Sequence, residues 1–237
     1  MICLLCKEEK KLVKAHIIPE GFFRRMREGG SHLLVLNQVP GKILPKRSPI
    51  GVYDKELVCR DCESIWNDWD THAQEILSHD MKLAKPIRRS GQDMAWRIDH
   101  FDYMKLKLFF ISVLWKAAVS RQTFYRKVDI GIFESIARKM ILERNPGQTD
   151  EFGVVITRFM PHKFDIVMFD PFREKINHVN FYRFYMAGYV VYMKVDRRPM
   201  PPPWSRLAIR EGESMYVVRR DMDKSPELPL ILNFARQ

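Results

Sequence analysis

Met1-Ile2-Cys3-Leu4-Leu5-Cys6 and, more than fifty residues later, Val58-Cys59-Arg60-Asp61-Cys62-Glu63 decide how the first part of this 237-residue chain folds. The chain has four cysteines, all of them in these two Cys-x-x-Cys pairs, so no thiol is left over. A two-residue spacer lets one tight turn aim both sulfurs of a pair at a single ion, and tetrahedral zinc takes four thiolates. The pattern predicts one structural Zn²⁺ held by Cys3, Cys6, Cys59 and Cys62, ordering a small N-terminal module. A redox-active dithiol and two unrelated pairs of buried thiols are the other readings. The dithiol asks for a βαβ context that neither pair has.

Between the pairs, Gly29-Gly30, Pro40-Gly41, Pro45 and Pro49 punctuate the chain, so this part reads as short strands and loops. From Glu63 the pattern turns helical. Trp66, Trp69, Ala73, Ile76 and Leu77 share an apolar stripe, while Glu63, Asn67, Asp70 and Gln74 share a polar one. Residues 85–93 read as the exit into a linker or surface loop, which divides the chain into a module over 1–88 and a larger domain over 93–237.

In that larger part, apolar helices are expected over 103–120 and 131–144, both largely buried, the second ending at Asn145-Pro146-Gly147. Strands follow at 154–156, 164–169 and 189–195, with Pro161-His162, Asp170-Pro171 and Gly188 between them. The fold class expected for the whole is α+β. Leu108, Phe109, Ile111, Leu114 and Trp115 read as core or as an oligomer interface, and Met200-Pro201-Pro202-Pro203-Trp204 as a rigid connector.

A hydrophobic content of 46% against 29% charged residues excludes a disordered chain, and the net charge of +11 favours polyanionic partners such as nucleic acid. The most apolar run, Leu106 to Val119, is broken by Lys107 and Lys116, so no membrane span is expected. The first residues run at once into Lys7-Glu8-Glu9-Lys10-Lys11, unlike a secretory signal, and reduced thiols suit the cytoplasm, the expected address.

Lys14-Ala15-His16-Ile17-Ile18-Pro19, lying between the cysteine pairs, and Glu63, directly after the second pair, complete a pattern that resembles the HNH endonuclease family over residues 1 to about 80. That resemblance implies a ββα-metal fold and metal-dependent hydrolysis of phosphodiester bonds in DNA or RNA, with DNA favoured. It makes His16 the general base and Glu63 a ligand of the catalytic metal. Three positions depart from the family: Ala15 stands where many members have an acidic residue, Asp54 where the middle asparagine is usual, and Glu63 where the last histidine or asparagine would be.

Asn67 and Asp70, on the helical face of Glu63, offer further oxygen ligands suited to Mg²⁺ or Mn²⁺. Arg24, Arg25 and Arg27, beside Phe22 and Phe23, are placed to meet phosphates, or form a solvated basic face. His16 has a second reading as a histidine hydrogen-bonded inside the module. The chain as a whole has others: a non-catalytic zinc-stabilised nucleic-acid-binding or adaptor protein, or one whose C-terminal domain meets a protein partner or a second copy.

Overall fold

A computed structural model describes residues 1–28, 33–39, 42–48, 51–77, 81–160 and 167–235. The chain opens on a knuckle: Lys7 takes a left-handed φ of 65°, its N–H donates to the Cys3 carbonyl at 2.9 Å, and Leu4 N–H donates to Leu57 at 2.8 Å. Strand β1 (Leu12–His16) then pairs antiparallel with β4 (Tyr53–Cys59), setting Leu12 opposite Cys59 and His16 opposite Tyr53. Strand β4 runs straight into helix α2 (Arg60–Ser64) and, after a turn at Ile65 and Trp66, into α3 (Asn67–Ile76). Two antiparallel strands and a helix are thereby tied to the two cysteine pairs.

Between β1 and β4 lie α1 (Gly21–Glu28), β2 (Leu33–Val39) and β3 (Lys42–Ser48). Helix α1 corrects the expectation of strands and loops alone. Phe22 and Phe23 are buried, and the Phe22 ring stacks on Phe109 at 5.7 Å, so packing against the chain's later half holds the helix in place.

Residues 85–93 are not a linker. They form a hairpin of β5 (Lys85–Arg89) and β6 (Gln92–Ile98), closed by Ser90 at φ 51° and Gly91 at φ 77°. Two successive left-handed residues match the right-handed twist of the flanking strands, which is why short hairpins use such turns. The hairpin joins a seven-stranded sheet in the order β5-β6-β12-β7-β11-β10-β9, whose later strands are β7 (Val154–Met160), β9 (Phe172–Ile176), β10 (Val179–Met186), β11 (Tyr189–Lys194) and β12 (Met215–Asp221). Every neighbouring pair in it is antiparallel except β12 and β7. A third sheet sets β2 between β3 and β8 (Val167–Phe169), with β2 and β8 parallel.

The remaining helices are α4 (Tyr103–Val119), α5 (Phe133–Glu143), α6 (Trp204–Leu207) and α7 (Glu227–Ala235), making the class α+β. Helix α4 is capped by Asp102, whose carboxylate accepts from Lys105 N–H at 3.0 Å. Its Leu108, Phe109, Ile111, Leu114 and Trp115 are all fully buried within the single chain, so they are core and not an oligomer interface. Helix α5 is less buried than expected, turning in only Ala137, Met140 and Ile141.

The expected division between residues 88 and 93 is crossed repeatedly. Leu34 pairs with Val167, Arg138 Nε donates to the Leu5 carbonyl at 2.6 Å, and Asp54 binds Ser120 at 2.8 Å. Among the described residues, no helix is long and apolar enough to cross a membrane.

Candidate functional site

The knuckle and the β4–α2 junction bring the four cysteines together. Their Sγ atoms all lie within 4.8 Å of one another, close enough to hold a metal ion such as zinc. Cys3, Cys59 and Cys62 are buried, and Cys59 N–H points at Cys3 Sγ from 3.4 Å. Burial opposes ionisation of Cys3, but backbone N–H groups of Cys6, Cys59 and Leu5 outweigh it and bring that thiol down to about 7. Burial together with the neighbouring sulfurs pushes Cys62 up, and burial also raises Cys6. Four crowded thiols cannot all ionise on their own; a divalent cation among them removes that conflict, so the donor set fits zinc.

At the end of β1 and along α2 and α3 lie three more candidate side chains. His16 is mostly buried, its ring edge-on to Tyr53 at 5.9 Å, and its Nε2 has no hydrogen-bond partner, with Glu20 Oε2 4.0 Å away. Burial lowers its pKa below the ordinary value, and the charges of Lys14 and Lys116 lower it further. Glu63 Oε2 and Asp70 Oδ1 are likewise buried without hydrogen-bond partners. Burial pushes Glu63 up to about 7, against the pull of Lys116 and the Trp66 side chain. Burial pushes Asp70 up to about 6, again opposed by Lys116.

The ammonium common to all three is Lys116, from α4. Its side chain is fully buried, its Nζ lies 4.7 Å over the Trp66 ring, and it has no hydrogen-bond partner. In the sequence Lys116 stands out only as a break in the apolar run, not as a candidate site residue. The available signal was a lysine set between Trp115 and Ala117 in a helix apolar all round, a place where a charge needs a counter-charge.

His16, Glu63 and Asp70 thus share buried, unpartnered polar atoms, while the other candidates differ. Asn67 is exposed, because the turn at Ile65 and Trp66 breaks the polar stripe expected to run unbroken from Glu63. Ala15 is buried opposite Asp54. Asp54 is tied up: one oxygen accepts from Glu56 N–H at 2.9 Å, the other from Ser120 Oγ at 2.8 Å and Arg121 N–H at 3.2 Å. Arg24 is exposed on α1, whose first residue, Gly21, packs so tightly on Gln74 of α3 that a Cβ there would meet the Gln74 side chain. Arg25 and Arg27 follow on the same helix, and their side chains lie outside the described residues.

Comparison with protein-family models, with curated proteins and with solved structures returns no match, so the site itself carries the functional argument.

Proposed function

We propose that the chain is a zinc-stabilised, HNH-like nuclease acting on the phosphodiester backbone of nucleic acid, with DNA favoured over RNA. The observation that supports this reading is that His16, at the end of β1, and Glu63 and Asp70, on the helices that follow β4, each carry a buried polar atom without a hydrogen-bond partner beside the four-cysteine group. A side chain kept neutral near pH 7 and free at Nε2 is what a general base requires, and the surroundings of His16 favour that state. In this scheme His16 takes the proton of the attacking water, Glu63 orients that water, and the exposed Arg24 meets the phosphates.

The resemblance also implies a Mg²⁺ or Mn²⁺ ion beside His16. The residues present do not fit one. The Ala15 side chain offers no oxygen, and both oxygens of Asp54 are engaged. Among the described residues the four thiols are the one group of three or more potential ligands whose donor atoms converge as a metal needs.

The test is incubation of the purified chain with plasmid DNA and with RNA, with Mg²⁺, with Mn²⁺ and with neither. His16→Ala should reduce cleavage by roughly 10²-fold while zinc content and nucleic-acid affinity hold. A second reading, a non-catalytic nucleic-acid-binding module, is favoured by the commitment of Asp54 to hydrogen bonds within the fold. Salt-dependent binding with no cleavage of either substrate under any of these conditions selects it.

A further inference from the structure

Away from the cysteine unit, the β5–β6 hairpin builds a groove at the edge of the long sheet. Arg88 of β5, Trp96 of β6, Arg219 of β12 and Met160 of β7 line one cavity of about 460 Å³. These strands are consecutive in the sheet, so each contributes one side chain to the same hollow. Gly91, in the hairpin turn, also lines it, and a Cβ built there would meet nothing within 4 Å, which leaves this side of the groove open.

Asp93 sets both arginines. Its carboxylate accepts from Arg88 Nε at 2.8 Å and its carbonyl from Arg219 Nη1 at 3.4 Å, while Asp221 accepts from Arg219 Nε at 2.7 Å. The carboxylates thus occupy the Nε of each guanidinium. Of the four terminal nitrogens, only Arg219 Nη1 has a partner among the described residues. The donors that remain are held in the planar fork that suits phosphate oxygens. Arg89, exposed beside the turn, adds a third positive charge against the two carboxylates.

The opposite lining is apolar, from Trp96 and Met160. A phosphate beside an apolar wall matches one nucleotide of a strand. A duplex keeps its bases stacked and offers the groove only backbone, whereas an unpaired strand can lay a base against Trp96 and Met160. An acidic peptide would meet the arginines and leave that wall without a partner.

We propose that this groove binds a single-stranded segment of nucleic acid, with Arg88 and Arg219 on the phosphate backbone and Trp96 and Met160 against the adjoining base. The assignment rests on the nucleic-acid reading above, but its test does not depend on cleavage.

The zinc-loaded full-length chain is titrated into a fluorescein-labelled thymidylate oligonucleotide at low salt, and binding is followed by anisotropy. Arg88→Gln and Arg219→Gln should each weaken binding roughly tenfold and flatten its salt dependence. Lys139→Gln, which removes the same charge from an exposed site on α5, should change it less than about twofold. Arg88→Lys keeps the charge but loses the fork, and should still cost roughly threefold or more. An abasic strand of the same length should bind wild type more weakly than the thymidylate. Arg88 is 66% exposed, so its variants decide the matter if Arg219→Gln does not fold.

If the strand binds but the arginine variants lose no more than Lys139→Gln, the groove assignment fails and the nucleic-acid reading stands. Equal affinity for the abasic strand overturns the base contact, and equal losses on duplex and single strand overturn the single-strand assignment. Polyglutamate that displaces the strand as well as unlabelled oligonucleotide does would assign the groove to acidic peptides instead. Binding of neither strand nor duplex overturns the nucleic-acid reading and the groove assignment together.

Discussion

Helix α4 buries two lysines that meet different surroundings. Lys116 Nζ lies 4.7 Å over the Trp66 ring, whereas Lys107 Nζ reaches the Thr149 carbonyl at 3.3 Å, and burial pushes the pKa of Lys107 down to about 7. Between about pH 7 and its ordinary value of 10.5 the unfolded chain holds a proton there that the folded chain has released, so stability rises with pH across that window. Below it both states are protonated and the burial penalty is constant. Lys107→Met should therefore stabilise the chain most at low pH, and its advantage in urea unfolding should shrink by roughly 3 kcal/mol between about pH 6.5 and about pH 9.5. At Asp54 the opposite sign is expected. Three donors converge on this buried carboxylate, and Asp54→Ala should destabilise by roughly 3 kcal/mol, read as a lower unfolding midpoint. A position matched to the family's asparagine by spacing alone could not reveal this role, because two of the donors, Ser120 and Arg121, are remote in sequence.

At the scale of elements, the cysteine knuckle, α4, β7 and β11 were legible because each is signalled locally: by fixed ligand spacing, by a long apolar run, or by strands beside turn residues. By contrast, β9, β10 and β12 were not foreseen, and the expected strand over 164–169 is met by β8 at 167–169, its first residues lying outside the described ones. The elements misread are those decided from a distance. Helix α1 is held by Phe22 against Phe109, and the β5–β6 hairpin turns on Arg89-Ser90-Gly91-Gln92, which lacks the Asn-Gly or Asp-Gly pair that announces such a turn. The same distinction applies to the candidate site. His16 and Glu63 could be named as candidates from their spacing to the cysteine pairs, whereas the burial of Lys116 against Trp66 depends on how α4 packs on the earlier helices. The β1–β4–α2 unit should depend on its metal: Cys59→Ser should abolish the expected one zinc per chain in elemental analysis and lose the ordered secondary structure of that unit. Retention of zinc by this variant would show a different ligand set.

Across the whole molecule, the two parts expected from the sequence are bound by a parallel strand pair, buried aromatic stacking, and hydrogen bonds from α4 and α5 to the cysteine unit. Calorimetry of the zinc-loaded chain should therefore show one cooperative transition, and a fragment ending at residue 88 should lack a sharp one, since α3 would lose its cover from α4. Two separate transitions would restore the division. The long sheet carries a further consequence. Strand β6 has β5 on one side, but its other neighbour is β12, more than a hundred residues downstream. During synthesis on the ribosome that flank stays open until residue 221 has emerged, so a prematurely terminated chain presents a bare sheet edge to its neighbours, and quality control meets this protein first as an unfinished template for aggregation.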